Sequence, residues 1–598
     1  MSGSSSTGKR AEVLSSPITY TVHIDSLHLD HVDVSIAIHG MPDHFHLAMA
    51  VHPEYTDRFW RFISVLTVTS ATGSSSVATM VQQDTTLWSV TLPGGSGVIR
   101  YRINMPPPRP GNRWAYQSFV REDGALLWGP DVFLYVTEQA SRPALVRLDI
   151  PRNWRVATAL VPGSARDTWS APDAATLIDS PILLGRLRSW AFAEGATSFR
   201  VVYRPASNPP PFDTAAFVDA LHRLAHSTMQ LFHGAAPFRS YTFLFEDSAA
   251  GALEHRSSVT LGAPASELAV DPRAMIPETA HEFFHAWNLV AIHPAGYGDL
   301  RNGAAPRNAG LWWGEGVTMY YADLLARRAH LVTDTTSRLG YLASIVAGYY
   351  ASPANLEISP ERASLAFGDS PVINRDAAAN YYGQGQLLAF ALDATIRDST
   401  SNTTRRGLDD FMRAMFARSV NRRGFTEPQL EAVADSVCGC DLSRFFTEHV
   451  RGAIPVHINE YVERFGVRMI VDTIAAVDGA GRPLPDMRAW AYPMPSSGKL
   501  QLYPVDPSSL WSAATGGDIV SINGIAIATL ADFVRARATV QVGDRFAVEI
   551  SRGGRIERIM PTMTGYRQPR VRFVDVANVT AAQRAARARW ESGGDAAR

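Results

Sequence analysis

The sequence predicts a multidomain α+β protein, and three observations carry that prediction. The chain has 598 residues, more than one hydrophobic core organises, so about two to four domains are expected. Its first third alternates apolar and polar residues at period two, and its middle switches to helical periodicity. Near residue 456 short strands return. The predicted parts are a β-domain over 17–175, a mixed domain ending in a helical half over 176–456, a small β-rich module over 457–566, and a tail over 567–598.

The N-terminal part reads as strands in "ITYTVHIDSL", "HVDVSIAIHG", "FHLAMAVH", "LWSVTLPG" and "VIRYRINMP", with the Pro-rich stretch at 106–110 as a loop. That pattern predicts a sandwich-like domain. Its histidines (His23, His28, His31, His39, His44, His46) are scattered over several strands, and no pair sits at helical spacing, so no metal site is expected there.

After "SNPPP" the stretch "FVDALHRLAHSTMQLF" has helical periodicity and "YTFLFED" reads as a strand. Helices are expected around 277–290, 312–328, 335–349, 381–397, 407–418 and 427–449. Beyond 456, "GGDIVSINGIAI" predicts a strand turning at Asn523-Gly524, "LADFVRARA" a short helix, and "VGDRFAVEISRGGRIERIMP" a hairpin turning at Gly553-Gly554. The stretch "TAAQRAARARW" is read as a helix or a frayed end.

Composition excludes several function classes. Hydrophobic residues make up 46 %, charged residues 19 %, and formal net charge is −1, so neither nucleic acid nor an anionic membrane is favoured as a partner. No apolar run reaches the roughly 20 residues of a membrane span. The opening "MSGSSSTGKR" has no apolar core of a secretory signal. The compartment stays open between the cytoplasm and, if a signal was removed before residue 1, the periplasm or exterior. The same opening fits a bare phosphate-loop pattern, but no strand precedes it and Arg10 stands where a magnesium-binding hydroxyl belongs. Cys438 and Cys440 are one residue apart, which predicts two packed thiols rather than a bridge. No G-x-S-x-G stretch supports a serine hydrolase.

The chemistry concentrates at "PETAHEFFHAWN". Pro277 and Glu278 suit a helix start. On that helix His281 and His285 are four positions apart and share a face, so both imidazoles reach one ion. Glu282 is rotated to the side, placed for a water rather than for the metal. Phe283 and Phe284 are expected to anchor the helix in the core. A catalytic zinc takes about three protein ligands and keeps one open position. "LWWGEGVTMYYADLL" supplies the third, Glu315, in an aromatic setting where an unpartnered acid is costly.

These stretches, with "GALEHRSS" upstream, resemble the glycyl aminopeptidase family of metallopeptidases, thermolysin-like gluzincins related to the aminopeptidase-N and leukotriene-hydrolase group. The resemblance implies an N-terminal β-domain, a thermolysin-like catalytic domain and a C-terminal PDZ-like domain. It implies one zinc per chain on His281, His285 and Glu315, with Glu282 as general base. "YYGQG" resembles the family's Tyr-Tyr-x-Lys-Gly, which makes Tyr382 the oxyanion donor, with Gln384 where lysine is usual. "GALEH" resembles Gly-x-Met-Glu-Asn, which makes Glu254 the site for the substrate's free α-amino group. Trp287, Asn288, Thr318 and Tyr320 are expected to support the site, the last two beneath Glu315. The implied activity is a zinc aminopeptidase acting on peptides with small first residues, Gly or Ala, with a peptide C-terminus as a further partner of the PDZ-like domain. The rivals are an endopeptidase, a non-peptide hydrolase of the same fold, and a peptide-binding scaffold with a vestigial metal site.

Overall fold

A computed structural model describes residues 16–51, 59–71, 78–106, 113–303, 306–332, 337–401, 403, 405–419, 424–494 and 497–593. The phosphate-loop-like opening and most of the Pro-rich loop lie outside these residues. The chain divides into two compact units. One is Met1–His222 with Ala236–Met275 and Gly298–Ala305, and the other is Arg223–Ala235 with Ile276–Tyr297 and Pro306–Arg598.

The first unit begins as a sandwich. In His31–Ile38 every second residue is buried, the period-two pattern of a strand with one face inward. It pairs antiparallel with Ile18–His23 on one side and Gly97–Asn104 on the other, within a seven-stranded sheet. A four-stranded sheet contains His44–Met49 and Leu87–Thr91. Val34, Ile36, Ile99 and Tyr101 of the first sheet share one core with Phe45, Leu47, Trp88 and Val90 of the second. Two buried phenols are satisfied inside this core, Tyr20 donating to Leu134 O at 3.0 Å and Tyr101 to Val132 O at 2.9 Å.

The same unit carries a mixed five-stranded sheet. Its order is Arg188–Glu194, Thr197–Arg204, Ser240–Glu246, Ser258–Gly262 and Ala252–Glu254. The second, third and fourth strands in this order are parallel, and the helix Thr214–Leu231 supplies the crossover that parallel pairing requires. Ala252–Glu254 is an edge strand, antiparallel to its neighbour with Glu254 opposite Val259.

The second unit is mostly helical. Its helices include Ile276–Phe284, Thr318–Arg328, Arg338–Ala351, Tyr381–Ser399, Leu408–Arg418 and Glu427–Cys438. The segment Trp312–Val317, expected as ordinary α-helix, is π-helical and runs into Thr318–Arg328. The last expected helix stops early, because Gly439 takes a left-handed conformation at φ 66°. That reversal overturns the expectation of two free thiols. It brings the Cα atoms of Cys438 and Cys440 to 5.1 Å, and the two form a disulfide.

The C-terminal module has its own core, with Trp511, Phe533, Phe546 and Ile550. Its sheet contains Ala489–Pro493, Leu500–Pro504, Asp518–Ile522, Val548–Arg552 and Arg555–Ile559 in spatial order, with the helix Leu530–Arg537 beside it. Both expected turns form, with positive φ at Asn523 and Gly524 and at Gly553 and Gly554. The expected tail begins as a strand, Arg567–Asp575, antiparallel to Val467–Ala475, and ends in a docked helix, Ala581–Glu591, started by a reciprocal cap between Thr580 and Gln583. Trp590 is buried, its carbonyl accepts from Arg338 Nη1 at 2.9 Å, and the Arg338 guanidinium lies 4.3 Å from its ring.

Asp393 ties these helices together. It accepts from Tyr320 Oη, Arg397 Nε and Leu408 N–H, each at 2.9 Å. Burial opposes its charge, but Arg397 and the Leu408 N–H hold its pKa below the usual carboxylate range. A carboxyl depressed in the folded state adds stability that is present above its unfolded pKa and lost as pH falls below it. Asp393→Asn should therefore cost about 3–5 kcal/mol at neutral pH, the scale of breaking a buried pair. Urea titrations of both proteins should show that gap narrowing below about pH 4.

Candidate metal centre

The helix Ile276–Phe284 carries His281 and runs directly into His285, whose N–H still donates to His281 O at 3.2 Å, and its apolar face fixes it in the second unit. Phe283 and Phe284 are fully buried. Phe284 stacks on Tyr321 with centroids 4.6 Å apart, and Trp287 stacks on Phe232 at 5.2 Å. Trp287 Nε1 donates to Ala235 O at 3.1 Å. Anchored on that side, the helix presents His281 and His285 on another.

The Nε2 atoms of His281 and His285 lie 3.0 Å apart. Glu315 Oε2 lies 3.2 Å from the first and 3.3 Å from the second. Tetrahedral zinc with ligand distances near 2.05 Å needs ligand–ligand separations of about 3.3 Å. His285 Nδ1 lies 2.9 Å from Asn288 O, which makes Nδ1 the protonated nitrogen and leaves the Nε2 lone pair facing the other two ligands. Burial opposes ionisation of Glu315, yet the imidazoles of His285 and His281 overcome it and hold its carboxyl far below the usual range. Burial, with the neighbouring His285, lowers the pKa of His281 and favours its neutral, ligating form. Two neutral imidazoles and one carboxylate fit a single divalent ion with borderline preferences such as zinc. Glu282 is half-buried on the same helix.

Asn288 connects the two ligand-bearing segments. Its Nδ2 lies 3.1 Å from Trp313 O, 3.2 Å from Gly314 O and 3.1 Å from Thr318 Oγ1. These carbonyls belong to the π-helical turn that carries Glu315, so one side chain sets the distance from that turn to the histidine helix. Leu289, next in the chain, takes φ 112°, a conformation that side chains rarely adopt, and closes against Gly314. Thr318 supports the site as expected, joining Asn288 and Gly314 O. Tyr320 instead donates to Asp393.

Tyr382 lies in the first turn of the helix Tyr381–Ser399, capped by Asn380. Its ring centroid is 6.2 Å from that of His281. Two glycines allow this approach. A Cβ on Gly316 would lie 2.4 Å from Gly385 Cα, and one on Gly385 would lie 2.0 Å from Trp312 O. The helix and the π-helical turn thus cross backbone against backbone, which fixes Tyr382 relative to Glu315. The sequence did not reveal this crossing, although glycines inside two helical stretches were its visible trace. Gln384, at the lysine position of the resembled motif, is buried and donates to Asn355 O at 3.1 Å and Ile358 O at 2.7 Å. Glu254 belongs to the first unit, where it is buried at the end of the edge strand.

A model of the peptidase M61 N-terminal domain matches residues 19–186, and a model of M61 glycyl aminopeptidase matches residues 275–388. Residues 19–186 and 275–388 thus resemble the two domains that these M61 models describe. The second match spans His281, Glu282, His285, Glu315 and Tyr382. No curated protein matches the chain. An aminopeptidase N family protein from Idiomarina loihiensis has a similar structure, with TM-score 0.73 and 21 % identity over 92 % of this chain and 96 % of that one. That likeness establishes a shared aminopeptidase-type fold. An M1 zinc metallopeptidase from Deinococcus radiodurans, a mutant bound to a Tyr-Ser-Ala substrate, aligns with TM-score 0.43 and 18 % identity over 71 % of this chain and 90 % of that one.

Removing the connecting amide tests this geometry. Asn288→Ala should weaken binding of a divalent metal about 10- to 100-fold, the usual scale for groups that orient ligands, as read by competition with a chelator. Unchanged affinity would mean that the two segments are held by packing alone.

Proposed function

We propose that this protein is a zinc aminopeptidase that removes small first residues, Gly or Ala, from peptides. The observation that carries the reading is the triangle of His281, His285 and Glu315, with an adjacent carboxylate, Glu282, outside it. Zinc held there would supply Lewis acidity toward a carbonyl oxygen and would acidify water. Glu282 accepts a proton from the attacking water and delivers it to the departing amine, so its own charge is restored each turnover. The Tyr382 hydroxyl donates a hydrogen bond to the oxygen that becomes negative, and this contact strengthens as charge develops. Glu254 pairs with the substrate's α-ammonium and thereby selects chain ends. A scaffold with a vestigial site would have no use for Glu282. On its sheet-and-helix plan, the C-terminal module is proposed to be PDZ-like.

Two measurements test this. Glu282→Gln keeps size and hydrogen bonding while removing the base, so bound zinc should stay and kcat should fall by roughly 100-fold or more. A variant with near-parental kcat would remove Glu282 from the chemistry. For end selection, Glu254→Ala should lower kcat/KM on Ala-anilide about 30- to 1000-fold, the scale of losing a paired charge, without loss of zinc. The parent should hardly cut the N-acetylated anilide. Equal rates on free and acetylated substrates would favour the endopeptidase reading instead.

A further inference from the structure

The disulfide between Cys438 and Cys440 carries little of the fold. It spans one residue, so it removes little freedom from the unfolded chain. The turn that it closes is also held by other bonds. Gly439 N–H donates to Asp435 O at 2.8 Å, and Leu442 N–H donates to Asp435 Oδ1 at 2.8 Å. Arg406 Nη1 donates to Ser436 O at 3.2 Å and to Val437 O at 3.4 Å. With the S–S bond open, these contacts would keep the two sulfurs close and able to re-form it.

The two sulfurs are unequal. Cys438 is 2 % exposed, whereas Cys440 is half-buried between exposed Gly439 and Asp441. A Cβ added at Gly439 would meet no atom of the described residues within 4 Å, so the turn has an open side. Ser399, the last residue of the helix Tyr381–Ser399, stands beside the buried sulfur. Its Oγ lies 3.0 Å from Cys438 Sγ, 3.0 Å from Cys438 O and 3.1 Å from Ile396 O. Its one proton can turn to the sulfur as negative charge develops there, because an ionised acceptor outcompetes the two carbonyls.

We propose that Cys438–Cys440 is a reversible exchange site for small thiols, with Cys440 as the attacked sulfur, Cys438 as the leaving sulfur and Ser399 as its hydrogen-bond donor. Access selects the sulfur that is attacked, and half-buried Cys440 admits a small thiolate. A bond forms from the incoming sulfur to Cys440 Sγ. The protein S–S bond breaks, and its electron pair leaves on Cys438 Sγ, which then takes a proton from water. A second thiolate attacks the sulfur of the bound thiol and releases Cys440 as a thiolate, which is protonated in turn. Two small thiols are thereby oxidised to one small disulfide, and the bridge is reduced to two thiols. The same steps in reverse restore the bridge. None of them involves the metal centre.

The test uses the full chain with its bridge intact, 2-mercaptoethanol as the thiol and no denaturant. Trapping with excess N-ethylmaleimide, followed by peptide fragmentation, should place the mercaptoethanol adduct on Cys440 and the maleimide on Cys438. Ser399→Ala should slow adduct formation roughly 10-fold, the scale of one hydrogen bond to a charged group, and Ser399→Thr should restore it. The urea midpoint should hardly differ between bridged and reduced chains. An adduct on Cys438, or a bridge that opens only where urea unfolds the chain, overturns the proposal. Equal rates in the parent and Ser399→Ala overturn the role given to Ser399.

Discussion

Glu315 is 3 % exposed, and a carboxylate so buried must be neutralised or it will not stay ionised. His281 and His285 face it, with their Nε2 atoms 3.2 and 3.3 Å from its Oε2, and a divalent cation held between the three would supply that neutralisation. Much of the helical half serves that requirement. Phe283, Phe284 and Trp287 fix the histidine helix by burial, Asn288 sets its distance from the turn carrying Glu315, and the Gly316–Gly385 crossing sets the distance to Tyr382. The cost appears locally, as a π-helical turn and a positive φ at Leu289.

Rigidity at the site extends well beyond the ligands. Tyr320, one turn past Glu315, donates to Asp393, which also receives Arg397 and the start of the next helix. Arg338 lies 5.1 Å from the Tyr320 ring and 4.3 Å from Trp590 of the tail helix. A path of packed and charged groups therefore runs from the turn that carries Glu315 to the C-terminal helix, all within the second unit. It explains in physical terms why a tail of low hydropathy is docked: one tryptophan and a cap on the helix Arg338–Ala351, through Glu591, hold it.

What was legible in the sequence was what is local. A four-residue spacing on a helix already placed His281 and His285 on one face, and the structure brings their Nε2 atoms together. Period-two patterning in "HVDVSIAIHG" foretold a half-buried strand, and the turns at Asn523-Gly524 and Gly553-Gly554 follow from residues that tolerate positive φ. What was not legible depends on tertiary contact or on one backbone angle. The Cys438–Cys440 bond hinges on Gly439 turning left-handed, and the partner of Tyr320 lies on another helix.

The central claim is that His281, His285 and Glu315 together hold one zinc. Metal analysis with X-ray absorption at the zinc edge, on the parent and on His285→Ala, tests it most directly. The account predicts about one zinc per parent chain, bound by two imidazole nitrogens near 2.0–2.1 Å and one carboxylate oxygen, and loss of that zinc in the variant. Zinc retained at full occupancy in His285→Ala, or a parent that binds none, would contradict it.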